Sequence, residues 1–223
     1  MLSPACRGVL ALAAALAAGC STTPSYDYAA FIECEPRSIL VLPPLNSSME
    51  PDATYDSLMT LTLPLAERGY YVFPVAIVAL MMRENGLPTP HEMHDVPLAK
   101  LVEVFDPDAV LYLTVTDWGN SYQVVSSTTT VSMEGVLVAA DTGEEIWRSR
   151  QTKSKGSGSG GSIIGSLANA LVTQVASELS DPSQALAQET AWALFSDPRN
   201  GLLPGPYHPT HAAAYAAAAN PAE

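Results

Sequence analysis

A few residue groups have the types that chemistry requires, and their spacing decides what each can do. His91, His94 and Asp95 fall in the run HEMHD, and two imidazoles beside a carboxylate could hold a metal ion. A zinc-binding helix of the H-E-x-x-H kind spaces its histidines so that both rings leave one face. Here the spacing is one residue short, the rings diverge, and the run reads as a surface turn. Gly156–Ser162 (GSGSGGS) precedes an apolar helical pattern, as phosphate cradles do. It lacks the Lys-Ser/Thr of a P-loop, so it reads as a flexible linker. No G-x-S-x-G elbow is present, and the acidic residues are scattered without a pair set for acid–base work. No catalytic residue and no metal ligand is therefore assigned, and the chain is expected not to be an enzyme. What remains is a candidate binding surface: Tyr70 and Tyr71 in one stretch, Trp118 and Tyr122 in another, and Asn46 in a loop. Together these aromatics suit a peptide or glycan.

The cysteines carry a different chemistry. Arg7 followed by the small apolar run Val9–Ala18 is a signal segment, too short to span a bilayer comfortably. It ends in Leu16-Ala17-Ala18-Gly19-Cys20, which resembles the lipobox of bacterial lipoproteins. That resemblance implies cleavage between Gly19 and Cys20 and covalent lipid on Cys20, with no other cofactor. Two or more acyl chains make a stable anchor. Ser21 in place of Asp after the cysteine implies sorting to the outer membrane. Cys6 leaves with the signal, so Cys34 is alone in an oxidising compartment. It reads as a small buried residue near the start of the first strand, with an intermolecular disulfide as the sharper alternative.

Removing the signal leaves about 200 residues, enough for one domain with a sizeable core. The full chain has a net charge of −13. Such a surface repels nucleic acid and favours solubility and basic partners.

The elements that must position these residues follow from periodicity. Residues 20–34 read as lipidated cysteine and tether, 35–209 as the folded domain, and 210–223 as a frayed or weakly helical alanine-rich tail. Ile39–Leu42 is apolar on both faces, as a strand covered on both sides must be. Pro43-Pro44 ends it. Asp52 is the expected N-cap of a helix over 53–68, with Leu58, Leu61 and Leu65 inward and Pro64 as a kink or break. Gly69 stops it, and Tyr70–Phe73 is a short strand. Pro74 opens a helix whose buried stripe is Val75, Val78, Ala79 and Met82. Thr89 and Glu92 have capping-box spacing. A helix over 97–105 follows, stopped by Asp106-Pro107-Asp108.

Ala109–Thr116 is a second doubly apolar strand. From Trp118 the period becomes two, which predicts an antiparallel meander of 122–126, 129–140 and 145–152, turned at Asp141–Glu144. Gly135 is expected to mark a bulge, and the Ser/Thr run 126–130 a partly exposed or edge strand. Ile164 to Leu179 follows a helical stripe, and a further helix runs from Asp181-Pro182 to about Phe195. Residues 200–209 should cross the domain in extended form, anchored by Leu202, Leu203 and Tyr207. The sum is a single α/β (α+β) domain: a mixed sheet of about five strands, with an antiparallel meander and helices packed on it.

Several motifs together resemble one family of bacterial lipoproteins, grouped as domain of unknown function 799. They are LVLPPLNSS (40–48), TLPLAERGYYVFPVA (62–76), ENGLPTPHEMHDVPLAKL (84–101), DAVLYLTVTDWGNSY (108–122) and GPYHP (205–209). More distantly the chain resembles the amino-terminal α/β domain of TolB and the periplasmic part of the curli-secretion lipoprotein CsgG. The resemblance implies a protein anchored on the periplasmic face of the outer membrane. It implies no assigned activity, and a role in an assembly or secretion complex beside a CsgG-like lipoprotein or pore. A homodimer is a further candidate assembly. The alternative is a periplasmic binding protein for a small ligand or glycan.

Overall fold

The computed structural model describes residues 26–123, 126–156 and 182–219. The elements are α1 (Ala29–Cys34), β1 (Ser38–Val41), β2 (Leu45–Asn46), α2 (Ala53–Glu67), β3 (Tyr71–Val72), α3 (Val75–Glu84) and α4 (Pro90–His94). After these come α5 (Leu98–Phe105), β4 (Ala109–Gln123), β5 (Ser126–Ala139), β6 (Glu145–Gly156), α6 (Pro182–Ser196) and α7 (His211–Ala219). The fold is a mixed α/β domain. Its six-stranded sheet runs β3-β1-β4-β5-β6, with β2 also paired to β4. β1 is parallel to β3 and β4, and β2 is parallel to β4. β4, β5 and β6 form the antiparallel meander.

Alternation along β1 explains why its sequence is apolar throughout. Ile39 and Val41 face one core, with α2, α6 and the meander; Leu40 and Leu42 face a second, with Val78, Met82, Met93 and Leu101 from α3, α4 and α5. All four are fully buried. Asp108 ties the start of β1 to β4: one carboxylate oxygen accepts from the Arg37 and Ser38 amides, at 3.0 and 2.8 Å, and from the Ser38 hydroxyl.

The sixth strand is β2. Pro43-Pro44 interrupts the ladder, but the chain resumes it at once, with Leu45 opposite Thr114 and Asn46 opposite Val115. β4 is one strand of 15 residues, so 122–123 is its end and no separate strand begins at Tyr122. Its register shifts between Val115 and Asp117, and that bulge returns Trp118 to the core side beside Val131. The bulge expected at Gly135 is absent: Gly135 pairs regularly with Leu113 and Ser149. Glycine is needed there for room, because a Cβ would lie 3.1 Å from the Trp147 ring. The Ser/Thr run is not an edge over 128–130, since β5 there is paired with both β4 and β6, but Thr128 and Thr130 are partly exposed.

Pro64 lies inside a continuous α2 and is buried. Asp52 precedes that helix without a side-chain capping bond; its backbone carbonyl accepts from Tyr55 and Asp56. The Thr89–Glu92 capping box is present, and it starts α4 with Pro90 in the first turn. The buried residues of α3 are Val75, Val78, Ala79 and Met82, the stripe its periodicity predicts. The helical stripe from Ile164 to Leu179 lies outside the described residues.

The chain joins the domain earlier than its composition suggests. Tyr26–Cys34, grouped above with the tether, packs on the sheet: Phe31 is fully buried, and the Tyr26 hydroxyl accepts from the Arg148 amide at 2.8 Å. Cys34 ends α1 and is half-buried; burial pushes its thiol up to about 11. At the other end α7 rests on α1, with the Tyr215 ring 6.4 Å from that of Phe31.

Candidate interaction surface

Asn46 is consumed by its own loop. Its amide donates to the Glu50 carbonyl at 2.7 Å, and its side-chain oxygen accepts from the Ser48 amide and hydroxyl. Tyr70 is buried, not on a surface, and its hydroxyl donates to the Leu203 carbonyl. Trp118 is likewise in the core. Tyr71 is 52% exposed and packs edge-on against Phe73. Tyr122 lies near the end of β4, its backbone opposite Ser127. Gly19 and Cys20 lie outside the described residues. The four aromatics therefore do not form one platform: Tyr70, just before β3, and Trp118, turned inward by the β4 bulge, fill the core.

His94 is engaged away from His91. Its Nε2 donates to the Pro43 carbonyl at 3.0 Å, and its ring sits edge-on to Tyr112. Burial lowers its pKa from the ordinary value, and the neutral ring pins α4 over the end of β1. Among the described residues, no three acidic, histidine or cysteine side chains converge as a metal site.

The structure adds a set of residues that periodicity understated. α2 and α3 are apolar on more than their buried stripes. Met59 (71% exposed) and Leu63 (50%) line the outer side of α2; Ile77 (53%), Leu80 and Met81 line that of α3. Tyr71 on β3 and Val104 on α5 add to them. These helices lie on opposite faces of the sheet at its short β3 edge, and the Arg83 guanidinium over the Tyr55 ring, 5.8 Å from its centroid, links them. The sequence held this signal in the unbroken apolar run VAIVALMM, which exceeds what one buried stripe needs. Beside it an open groove of about 210 Å³ is lined by Met81, Met82, Leu87, Val104 and Phe105. A second cavity, of about 90 Å³, lies beside Cys34. Both are smaller than the roughly 300–1,000 Å³ of typical small-molecule sites.

A family model described as "Putative lipoprotein GNA1162-like" matches residues 26–207, which is the folded domain almost end to end. The chain belongs to the GNA1162-like family. It is also 40% identical over 207 residues to "Putative lipoprotein NMB1124/NMB1162" of Neisseria meningitidis serogroup B, covering 92% of this chain and 96% of that protein. The crystal structure of lipoprotein GNA1162 from Neisseria meningitidis superposes with a TM-score of 0.53 at 43% identity, over 63% of this chain and 99% of that one. A PelC dodecamer from Paraburkholderia phytofirmans gives a TM-score of 0.44 at 15% identity, over 78% of this chain and 93% of that one.

Two segments of this family member that are far apart in sequence meet in the fold. The carbonyls of residues 200–203 are each taken by a side-chain donor: Asn200 by Trp147 Nε1 at 2.8 Å, Gly201 by the Tyr28 hydroxyl, Leu202 by Arg68 and Leu203 by the Tyr70 hydroxyl. The Pro204 carbonyl accepts from His211 Nδ1 at 2.8 Å. Gly69 and Gly205 touch closely enough that a Cβ on Gly205 would lie 2.4 Å from the Gly69 carbonyl oxygen. The ERGYY and PGPYHP stretches are thus one structural lock. Leu202 and Leu203 anchor the crossing segment as expected, whereas Tyr207 is 71% exposed and anchors nothing.

Proposed function

We propose that this protein is a lipid-anchored interaction module on the periplasmic face of the outer membrane, non-enzymatic and without a resident cofactor beyond the lipid on Cys20. The observation that carries it is the set of exposed apolar side chains around the β3 edge: Met59, Leu63, Ile77, Leu80 and Met81. Exposed apolar rows on two neighbouring helices are surface that association with another protein would bury. The names of the family and of its meningococcal relative both contain "lipoprotein", which supports lipid on Cys20 and a membrane-anchored envelope location. Ser21 after the cysteine supports the outer membrane. The resemblance to the domain-799 lipoproteins, and more distantly to TolB and CsgG, supports a CsgG-like envelope lipoprotein as partner, with a second copy as the other candidate.

The anchor is tested by Cys20→Ala, which releases the protein from membranes; a variant that stays with them removes the anchor. The surface is tested by a photo-crosslinker placed at Met59 or Ile77 in the full lipidated chain in cells. One envelope protein, recovered from both positions and lost on Ile77→Glu, is the expected result. Crosslinks scattered over unrelated proteins count against the module. A second reading has one observation in its favour, the apolar groove at Met81, Leu87, Val104 and Phe105, which suits a small apolar ligand. A bound molecule that leaves on extraction and raises Tm on return would establish it.

A further inference from the structure

The chain has ten lysines and arginines against a net charge of −13, and Arg148, Arg150, Lys153 and Lys155 all fall on β6. Among the described residues β6 is an outer strand of the sheet, bonded to β5 on one side. Strand alternation sends Arg148 and Arg150 to one face and Lys153 and Lys155 to the other, so basic groups line both sides of this edge. Arg148 is committed to Glu134 and Glu145, at 2.7 and 2.6 Å. Among the described residues Arg150 has one polar side-chain contact, a 3.3 Å bond to the Thr116 hydroxyl. Lys153 and Lys155 are exposed, and neither has an ion pair among the described residues.

The chain also enters the domain at this edge. The Tyr26 hydroxyl bonds the Arg148 amide, so the tether from Cys20 ends near the start of the basic strand. Fully extended, the six steps from Cys20 to Tyr26 reach only about 20 Å. Lys153 lies five residues farther along β6 than Arg148, about 17 Å away. A lipid on Cys20 therefore holds Tyr26 within about 20 Å of the membrane surface and allows the basic groups of β6 to turn toward it. The screening length in physiological salt is about 8 Å, so a leaflet meets mainly the local charges; the acidic groups beside β6 are already paired, Glu134 and Glu145 with Arg148 and Asp197 with Arg199.

We propose that the β6 edge is the membrane-facing edge of the domain, with Arg150, Lys153 and Lys155 meeting the phosphates of anionic lipid headgroups. This rests on the lipid anchor of the proposed function. Lysines along an edge strand also deter strand addition, which makes an added strand from a partner the poorer occupant.

The test uses the mature lipoprotein, with acylation of Cys20 verified by mass, reconstituted in phosphatidylcholine vesicles with or without phosphatidylglycerol. Acetylation rates are read at Lys153, at Lys155 and at Lys100 on α5 as an internal control. We expect phosphatidylglycerol to slow Lys153 and Lys155 by about fivefold or more, as one headgroup contact per lysine implies. Lys100 should not change, high salt should abolish the effect, and Arg150→Gln should weaken it. Equal rates in both vesicles overturn the proposal and leave these charges as guards against strand pairing. Protection that ignores lipid composition and salt also overturns it, in favour of a protein occupant such as a second copy. A chain without acyl groups on Cys20, or one that does not float with vesicles, refutes the anchor itself and the proposal with it.

Discussion

At the scale of single residues, the side chains that matter most to this fold are polar and buried around residues 200–204. Backbone carbonyls cannot be left unpaired away from water, and this stretch has no sheet partner, so side chains supply the donors. Tyr70→Phe removes one of these donors and leaves the Leu203 carbonyl without its bond. The expected loss is about 1–3 kcal/mol of unfolding free energy, read from urea denaturation; an unchanged midpoint would show that the bond contributes nothing. The same tyrosines set an alkaline limit. Burial pushes Tyr28 up to about 12 and holds Tyr70 well above its ordinary value near 10. The unfolded chain ionises near 10 while the folded one keeps its protons. Stability is thus fully present below pH 10 and falls as pH rises through 10 toward 12. Absorbance at the tyrosinate band should rise for these residues only together with loss of the circular-dichroism signal.

Among the elements, the short ones depend on local chemistry and the long ones on packing. α4 has five residues, too few to hold itself, and is kept by its capping box and by the buried Met93. Thr89→Ala should cost about 1 kcal/mol by chemical denaturation, and Thr89→Ser much less, because serine keeps the accepting oxygen. α2 keeps Pro64 because packing outweighs the missing backbone bond, a balance that helix propensity alone cannot express. Periodicity could identify β1, α3 and the β5–β6 turn because each follows one rule along its whole length. It divided β4 in two because the strand passes a bulge and its outer face leaves the cover of α3–α5, so the pattern changes while the strand continues.

For the whole molecule, the ends of the described chain close the domain. α1, the 200–205 segment and α7 pack together at the edge where Gly69 turns. Ending the chain after Pro209 removes only α7 and uncovers part of α1. That variant should fold cooperatively with a lowered denaturation midpoint. Ending it after Arg199 strips the partners from Trp147, Tyr28, Arg68 and Tyr70, and should abolish the cooperative transition. If both truncations unfold alike, the 200–205 lock is not what closes the domain.

The sequence by itself determined the doubly apolar centre of the sheet, the buried stripe of α3, the capping box and the lipobox pattern at Cys20. Each is a short-range regularity, set by strand alternation, helical period or a motif read along the chain. Only the tertiary structure decided which aromatics remain outside: Tyr70 and Trp118 are in the core, and Tyr71 is exposed. It also joined ERGYY to PGPYHP, placed the exposed apolar rows of α2 and α3 around one sheet edge, and brought Tyr26 to the basic strand β6. Those facts depend on contacts between residues more than a hundred positions apart, or on what covers a face. A local pattern records which residues can be buried; the packed fold selects which of them are.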